Sequence, residues 1–176
     1  GHGVTTMHTG HGPGALISGQ TMIVKTTGDQ VDQAVIVPAA MVAATLGDDA
    51  LIQGGRPPGT HAKMIAMLRA EFQKAKEYDA KQAAAKEDAK SARDLRMETL
   101  VRVLKGELPL LVTVHRAHHI VSALRLAKEF NFKLVLDGAA EQVLLSSARQ
   151  SQFTDQGGSI FEKITGANVQ RRFAII

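Results

Sequence analysis

The sequence predicts an α/β fold assembled from parallel strand–helix units. Two observations carry that expectation. The first is the stretch LLVTVHRAHHIVSALRLAKEFNFKLVLDGAAE, from Leu110 to Glu141. Leu110, Leu111, Val112, Thr113 and Val114 form a short apolar, β-branched run, which reads as a buried strand. Ile120, Ala123, Leu124, Ala127 and Phe130 then share one helical face, Asn131 interrupts the pattern, and Leu134, Val135 and Leu136 make a second apolar run that ends at Asp137-Gly138. Strand, amphipathic helix and strand within about thirty residues make a βαβ unit, and its strands must run parallel. The second observation is compositional. The 176 residues are 44% hydrophobic but only 4% aromatic, which suits an Ala/Val/Leu-rich α/β domain with a real core and excludes a disordered chain.

The consequence is functional. In such a unit His115 and Asp137 both stand at the carboxyl ends of neighbouring parallel strands, the edge where α/β folds place ligands and chemistry.

The elements follow in order. Gly3 to Met7 reads as a short strand, and His8 to Gly14 is too rich in glycine to be anything but a loop. Thr21 to Thr26 is a second strand, turned by Gly28-Asp29, and Val35-Ile36-Val37 is a third apolar run. Pro38 suits the first position of a helix because it has no N–H to leave unpaired; Ala39 to Leu46 is expected to continue that helix and Gly47 to end it. Asp48 to Thr60, with Gly54-Gly55, Pro57-Pro58 and Gly59, is a loop. Ala62 to Leu104 reads as two helices or one long one. Met64, Met67, Leu68 and Phe72 anchor its start, and Leu95, Leu100, Val101, Val103 and Leu104 its end. The charged middle, Gln73 to Arg93, reads as a water-facing helix held by Glu/Lys pairs rather than as an interaction arm. Gly106 ends the helix and Pro109 prepares the strand that follows.

The chain is also similar to a known family along much of its length. VTVHRAHHIVSALRLAKEFNFKLVLDGAAE resembles the fifth-strand to sixth-strand unit of amidohydrolases related to imidazolonepropionase. Gly3-Val4-Thr5-Thr6, Gly12-Pro13-Gly14 and Ser18-Gly19-Gln20-Thr21 resemble that family's Gly-Val-Thr strand, Pro-Gly-Ser loop and Gly-Gly-Gln-Gly segment. The resemblance covers roughly residues 3 to 141 and implies an incomplete (β/α)8, or TIM, barrel of amidohydrolase type. A complete barrel typically needs about 250 residues. Residues 1–145 are thus expected to form a partial barrel domain and 146–176 a divergent tail. The sequence starts at Gly1 without an initiator Met, so it is expected to begin inside a domain.

The family's chemistry is metal-assisted hydrolysis of amide or cyclic amide C–N bonds. The resemblance therefore implies a divalent metal, zinc in the first instance, and a small-molecule substrate. Residue by residue, His115 matches the second His of the family's His-Ala-His-Arg motif, Arg116 its Arg, Asp137 the Glu ending the next strand, and Glu141 a later Glu. Thr113 stands where the first His belongs, and Gly138 where the His after the strand-ending Glu belongs. The family's first-strand His-x-His pair and eighth-strand Asp have no match. His115 and Asp137 are the expected pocket residues, with Arg116 orienting a substrate anion or a neighbouring carboxylate, or else closing an ion pair with Asp137. His115 is the first candidate metal ligand. His8 and His11, flanking a glycine loop, are the next. A catalytic zinc usually takes three protein ligands, so the chain is expected to hold zinc weakly or not at all. The alternative reading is a non-catalytic α/β binding or assembly module of the same lineage. A homo-oligomer or flanking sequence is expected to complete the barrel.

The remaining histidines carry less. His118 and His119 read as exposed residues at the start of a helix, and His2 and His61 as surface residues. Gly10-His11-Gly12-Pro13-Gly14 has the backbone to cradle an anion, but lacks the Gly-Lys-Ser/Thr that ends a P-loop. No nucleophile elbow is visible. There is no cysteine, hence no disulfide or thiolate metal site, which is compatible with a cytoplasmic setting. No apolar run approaches the ~20 residues that span a bilayer, and no signal peptide is visible, so no membrane association is expected. The net charge of +4 is small and interleaved with acids, so nucleic acid is not an expected partner either.

Overall fold

The computed structural model describes residues 3–10, 12, 14–28, 30–51, 58–84 and 92–139. Five strands form one sheet in chain order: β1 (Thr6–Thr9), β2 (Ile17–Lys25), β3 (Val35–Thr45), β4 (Leu110–Val114) and β5 (Leu134–Gly138). The sheet is curled into half a barrel. β1 pairs with β2, and β2 with β3, antiparallel; β3, β4 and β5 run parallel. A short helix, α1 (Val31–Ala34), leads into β3. Two longer helices, α2 (His61–Ala84) and α3 (Leu95–Leu104), lie between β3 and β4, and α4 (Ala117–Phe130) crosses from β4 to β5.

The βαβ unit takes the expected form. β4 and β5 pair in parallel from Leu110 opposite Leu134 to Val114 opposite Gly138. Asn131 ends α4 in the left-handed conformation at φ 57°, a cap that Asn tolerates better than most residues. Asp94 caps α3 by accepting from the Arg96 and Met97 amides, and Thr60 Oγ1 accepts from the Lys63 amide at the head of α2.

The expected helix over Ala39 to Leu46 is instead the second half of β3. AAMVAATL has a good helix-forming composition, but its residues pair with two strands at once and are buried on both faces of the sheet. Such strands read as continuous apolar runs. Pro38 is tolerated because it lies where the register with β2 shifts, between Val37 opposite Ile23 and Met41 opposite Thr21. The first strand is also displaced, to Thr6–Thr9, so His8 lies in a strand and not in the glycine loop.

Alternation along the strands divides the sheet into two faces. Val42, Ala44 and Leu46, then Leu110, Val112 and Val114, then Leu134 and Leu136 join Met64, Leu68 and Phe72 of α2, Leu100 and Val103 of α3, and Ile120 and Leu124 of α4 in the main core. The Phe72 ring meets Phe130 and Phe132 at centroid distances of 5.2 and 5.1 Å. Apolar anchors thus continue through Phe72 and Ala75 into the stretch expected to be solvated. The other face carries a small cluster of Met41, Leu111 and Val135. His2, His11, Glu141, the boundary at 145/146 and the whole tail lie outside the described residues.

Candidate functional site

The helix-free face changes character toward the carboxyl ends of the parallel strands. Thr45, Thr113 and Asp137 sit side by side in register across β3, β4 and β5. Thr113 Oγ1 donates to Asp137 Oδ2 at 3.2 Å. The Thr45 hydroxyl is buried and has no hydrogen-bond partner among the described residues. This row is the polar end of the otherwise apolar helix-free face of β3, β4 and β5, and it lies at the edge where parallel sheets carry their chemistry.

Beyond the row a rim of ionic groups closes the edge. Gly47 follows β3, and Asp48–Ala50 form a 3-10 turn. Asp48 accepts from Arg116 Nη2 at 2.9 Å and from His61 Nε2 at 3.1 Å, and Asp49 Oδ2 stands 3.9 Å from His115 Nε2. Arg116 therefore pairs with Asp48 on the rim rather than with Asp137. All of these side chains are partly or well exposed, so the pairs position the rim more than they stabilise the fold.

His115 and Gly138 are built around each other. Gly138 holds φ +79°, a conformation that favours glycine, and a Cβ placed there would lie 2.7 Å from His115 Cε1 and 2.8 Å from Nδ1. The imidazole of His115 thus occupies the space a side chain at position 138 would need. The expected pocket residues His115, Arg116 and Asp137 do gather at one edge, but only Asp137 belongs to the row on the sheet. His8 does not join them. Its Nε2 bonds Thr21 Oγ1 at 2.6 Å, and Thr21 donates in turn to the Met41 carbonyl. Met41 lies four residues before Thr45 on β3, about 13 Å along the strand.

Three contributors went unread in the sequence: Asp48, Asp49 and His61. The two carboxylates follow directly on the run taken for a helix, and reading that run as a strand would have put them at the functional edge. His61 also meets the histidines of α4. Its ring lies 4.2 Å from that of His119, and His118 lies 4.0 Å from His119. His119 is buried, against the expectation that it faces water. Burial, then the neighbouring His118 and His61, push its pKa down from 6.5 to about 4.

Among the described residues no group of three or more His, Asp or Glu side chains is arranged to hold a metal ion. Nor is any helix among them long and apolar enough to cross a membrane. No protein-family model matches the chain, and no curated protein sequence does. The fold is similar to that of an amidohydrolase from Thermotoga maritima MSB8, with a TM-score of 0.75 and 26% identity over 85% of this chain. The chain spans 41% of the length of that protein. The likeness supports an amidohydrolase-like scaffold, the coarser part of what the sequence implied.

Proposed function

We propose that this chain builds one side of the mouth of an amidohydrolase-type barrel, in a hydrolase acting on amide or cyclic amide C–N bonds of a small molecule. The observation that carries the reading is the Thr45–Thr113–Asp137 row, a carboxylate and two hydroxyls on the helix-free face at the carboxyl edge. Asp137, held from one side by Thr113, is the group suited to accept or deliver a proton at the scissile nitrogen. Arg116 and His115, on the rim, are placed to orient a substrate's polar end.

The family's metal would supply an activated water and a polarised carbonyl. The described residues do not fit it. Thr113 offers no imidazole, Gly138 offers no side chain, and the His115 ring fills the space above that glycine. The role proposed for this chain is therefore confined to its own proton-moving and orienting groups. A second copy, or sequence flanking these strands, would supply what completes the barrel.

The Gly138–His115 arrangement also favours a second reading, a non-catalytic binding or assembly module on the same scaffold. One experiment separates them: hydrolysis of a panel of linear and cyclic amides by the wild type and by Asp137→Asn, with elemental analysis of each protein after mild dialysis. Turnover lost in Asp137→Asn supports the hydrolase. Absence of both turnover and metal supports the module.

A further inference from the structure

A cavity lies on the helix-covered side of the sheet, where the heads of α2 and α4 meet. It measures about 120 Å³, and its lining includes the apolar Leu46, Met64 and Ile65 together with His61, His119 and Ser122. That is far more than the ~10–15 Å³ a single water needs. We propose that this cavity binds a primary carboxamide carrying a short apolar tail. The inference is independent of the hydrolase reading, because the cavity belongs to the helix-covered face and Asp137 to the other.

The donors and acceptors on the wall select the polar end of the ligand. A neutral imidazole has one nitrogen that donates and one that accepts. His61 gives its Nε2 proton to Asp48 at 3.1 Å, so its Nδ1 is an acceptor, and that buried atom has no partner among the described residues. His119 is 5% exposed, and neither of its ring nitrogens has a partner among them. Its surroundings keep the ring neutral. Asp48, the carboxylate that faces it, is already bonded to Arg116 and His61, while burial and the neighbouring His118, His61 and Arg116 all oppose a charge. His119 therefore presents one donor and one acceptor. Ser122 adds no donor, since its hydroxyl proton goes to the His118 carbonyl at 2.8 Å.

The two rings together offer two acceptors and one donor. Buried polar atoms are nearly always bonded, so orphans on residues that line a cavity point to an occupant carrying the complementary set, two donors and one acceptor. A primary carboxamide has that set in one planar group, two N–H and a carbonyl. A carboxylate has no donor, a ketone none, and an alcohol only one. An ammonium has no acceptor and brings a charge among neutral rings. No group of side chains among the described residues is arranged for a metal. Leu46, Met64 and Ile65 give a hydrocarbon tail an apolar wall, which water alone would leave unused.

The test is a titration of the whole chain with butyramide at about pH 7.5, above the ordinary imidazole range, followed through the histidine ring nitrogens by NMR. Butyrate, butylammonium and methyl propyl ketone serve as comparison probes of similar size; the ketone keeps the carbonyl and loses both donors. Saturable shifts of the His119 and His61 ring nitrogens are expected with butyramide alone. His119→Phe, which keeps a ring and removes its nitrogens, should weaken binding at least about tenfold, the loss expected when two neutral hydrogen bonds go. Ser122→Phe, which places a ring in the cavity, should abolish binding and keeps the test decisive where the first variant fails to fold. Shifts that do not saturate, binding unchanged in either folded variant, or equal saturation by the ketone, butyrate or butylammonium would overturn the proposal.

Discussion

The two faces of β3, β4 and β5 are made by the same strands and differ in what they hold. The helix-covered face is apolar from end to end: Val42, Ala44 and Leu46, then Leu110, Val112 and Val114, then Leu134 and Leu136. The other face begins in the same way, with Met41, Leu111 and Val135, and then turns polar at Thr45, Thr113 and Asp137. Strand alternation lets one backbone serve both demands. A fold needs only one of its faces to be wholly apolar, and polarity confined to one end of the other face marks a place kept for something other than stability.

The sharpest contrast is in the core of the helix-covered face. Phe72 is fully buried and meets two aromatic rings. Phe72→Ala should cost about 3–5 kcal/mol, read as a lower urea midpoint, through lost transfer energy and the cavity left behind. A loss under about 1 kcal/mol would mean that the helices are not what holds the sheet.

Next comes acid. His119 has a folded-state pKa near 4 against an ordinary 6.5, so the unfolded chain binds the proton more readily. The neutral ring leaves stability undiminished above about pH 6.5. As the pH falls from there toward 4, stability should drop by up to about 3 kcal/mol. In His119→Gln that part of the pH dependence should flatten, which denaturant melts at several pH values would show. An unchanged slope would place the acid sensitivity in other groups.

A smaller effect belongs to the end of β5. Gly138→Ala should destabilise by about 1–3 kcal/mol, since it combines a positive φ with a Cβ only 2.7 Å from the His115 ring. In a His115→Ala background only the backbone part should remain. Equal costs in both backgrounds would show that the two residues do not compete for space.

How much of this was legible in the sequence follows from where local and long-range signals agree. The Leu110–Gly138 unit was readable because β-branched runs, helical spacing and an Asn cap all point the same way. Ala39 to Leu46 was not, because a short Ala-rich apolar run suits a helix and a doubly buried strand equally, and pairing with β2 and β4 decides it. That one misreading hid Asp48 and Asp49. His115, Arg116 and Asp137 were found because they follow directly on the strands of the readable unit. His61 and His119 were missed because their burial arises only where two helices distant in sequence meet.

The two faces can be weighed against each other with a pair of near-isosteric exchanges, Thr45→Val on one and Val114→Thr on the other, each followed by urea denaturation. Thr45 carries a buried hydroxyl without a partner among the described residues, and Val114 is fully enclosed by the core. If the polar row is not there for stability, Thr45→Val should be neutral or stabilise by up to about 1 kcal/mol, while Val114→Thr should cost about 1–3 kcal/mol for an unsatisfied hydroxyl. Thr45→Val destabilising the fold as much as Val114→Thr would contradict this, and would make the row part of the structural core.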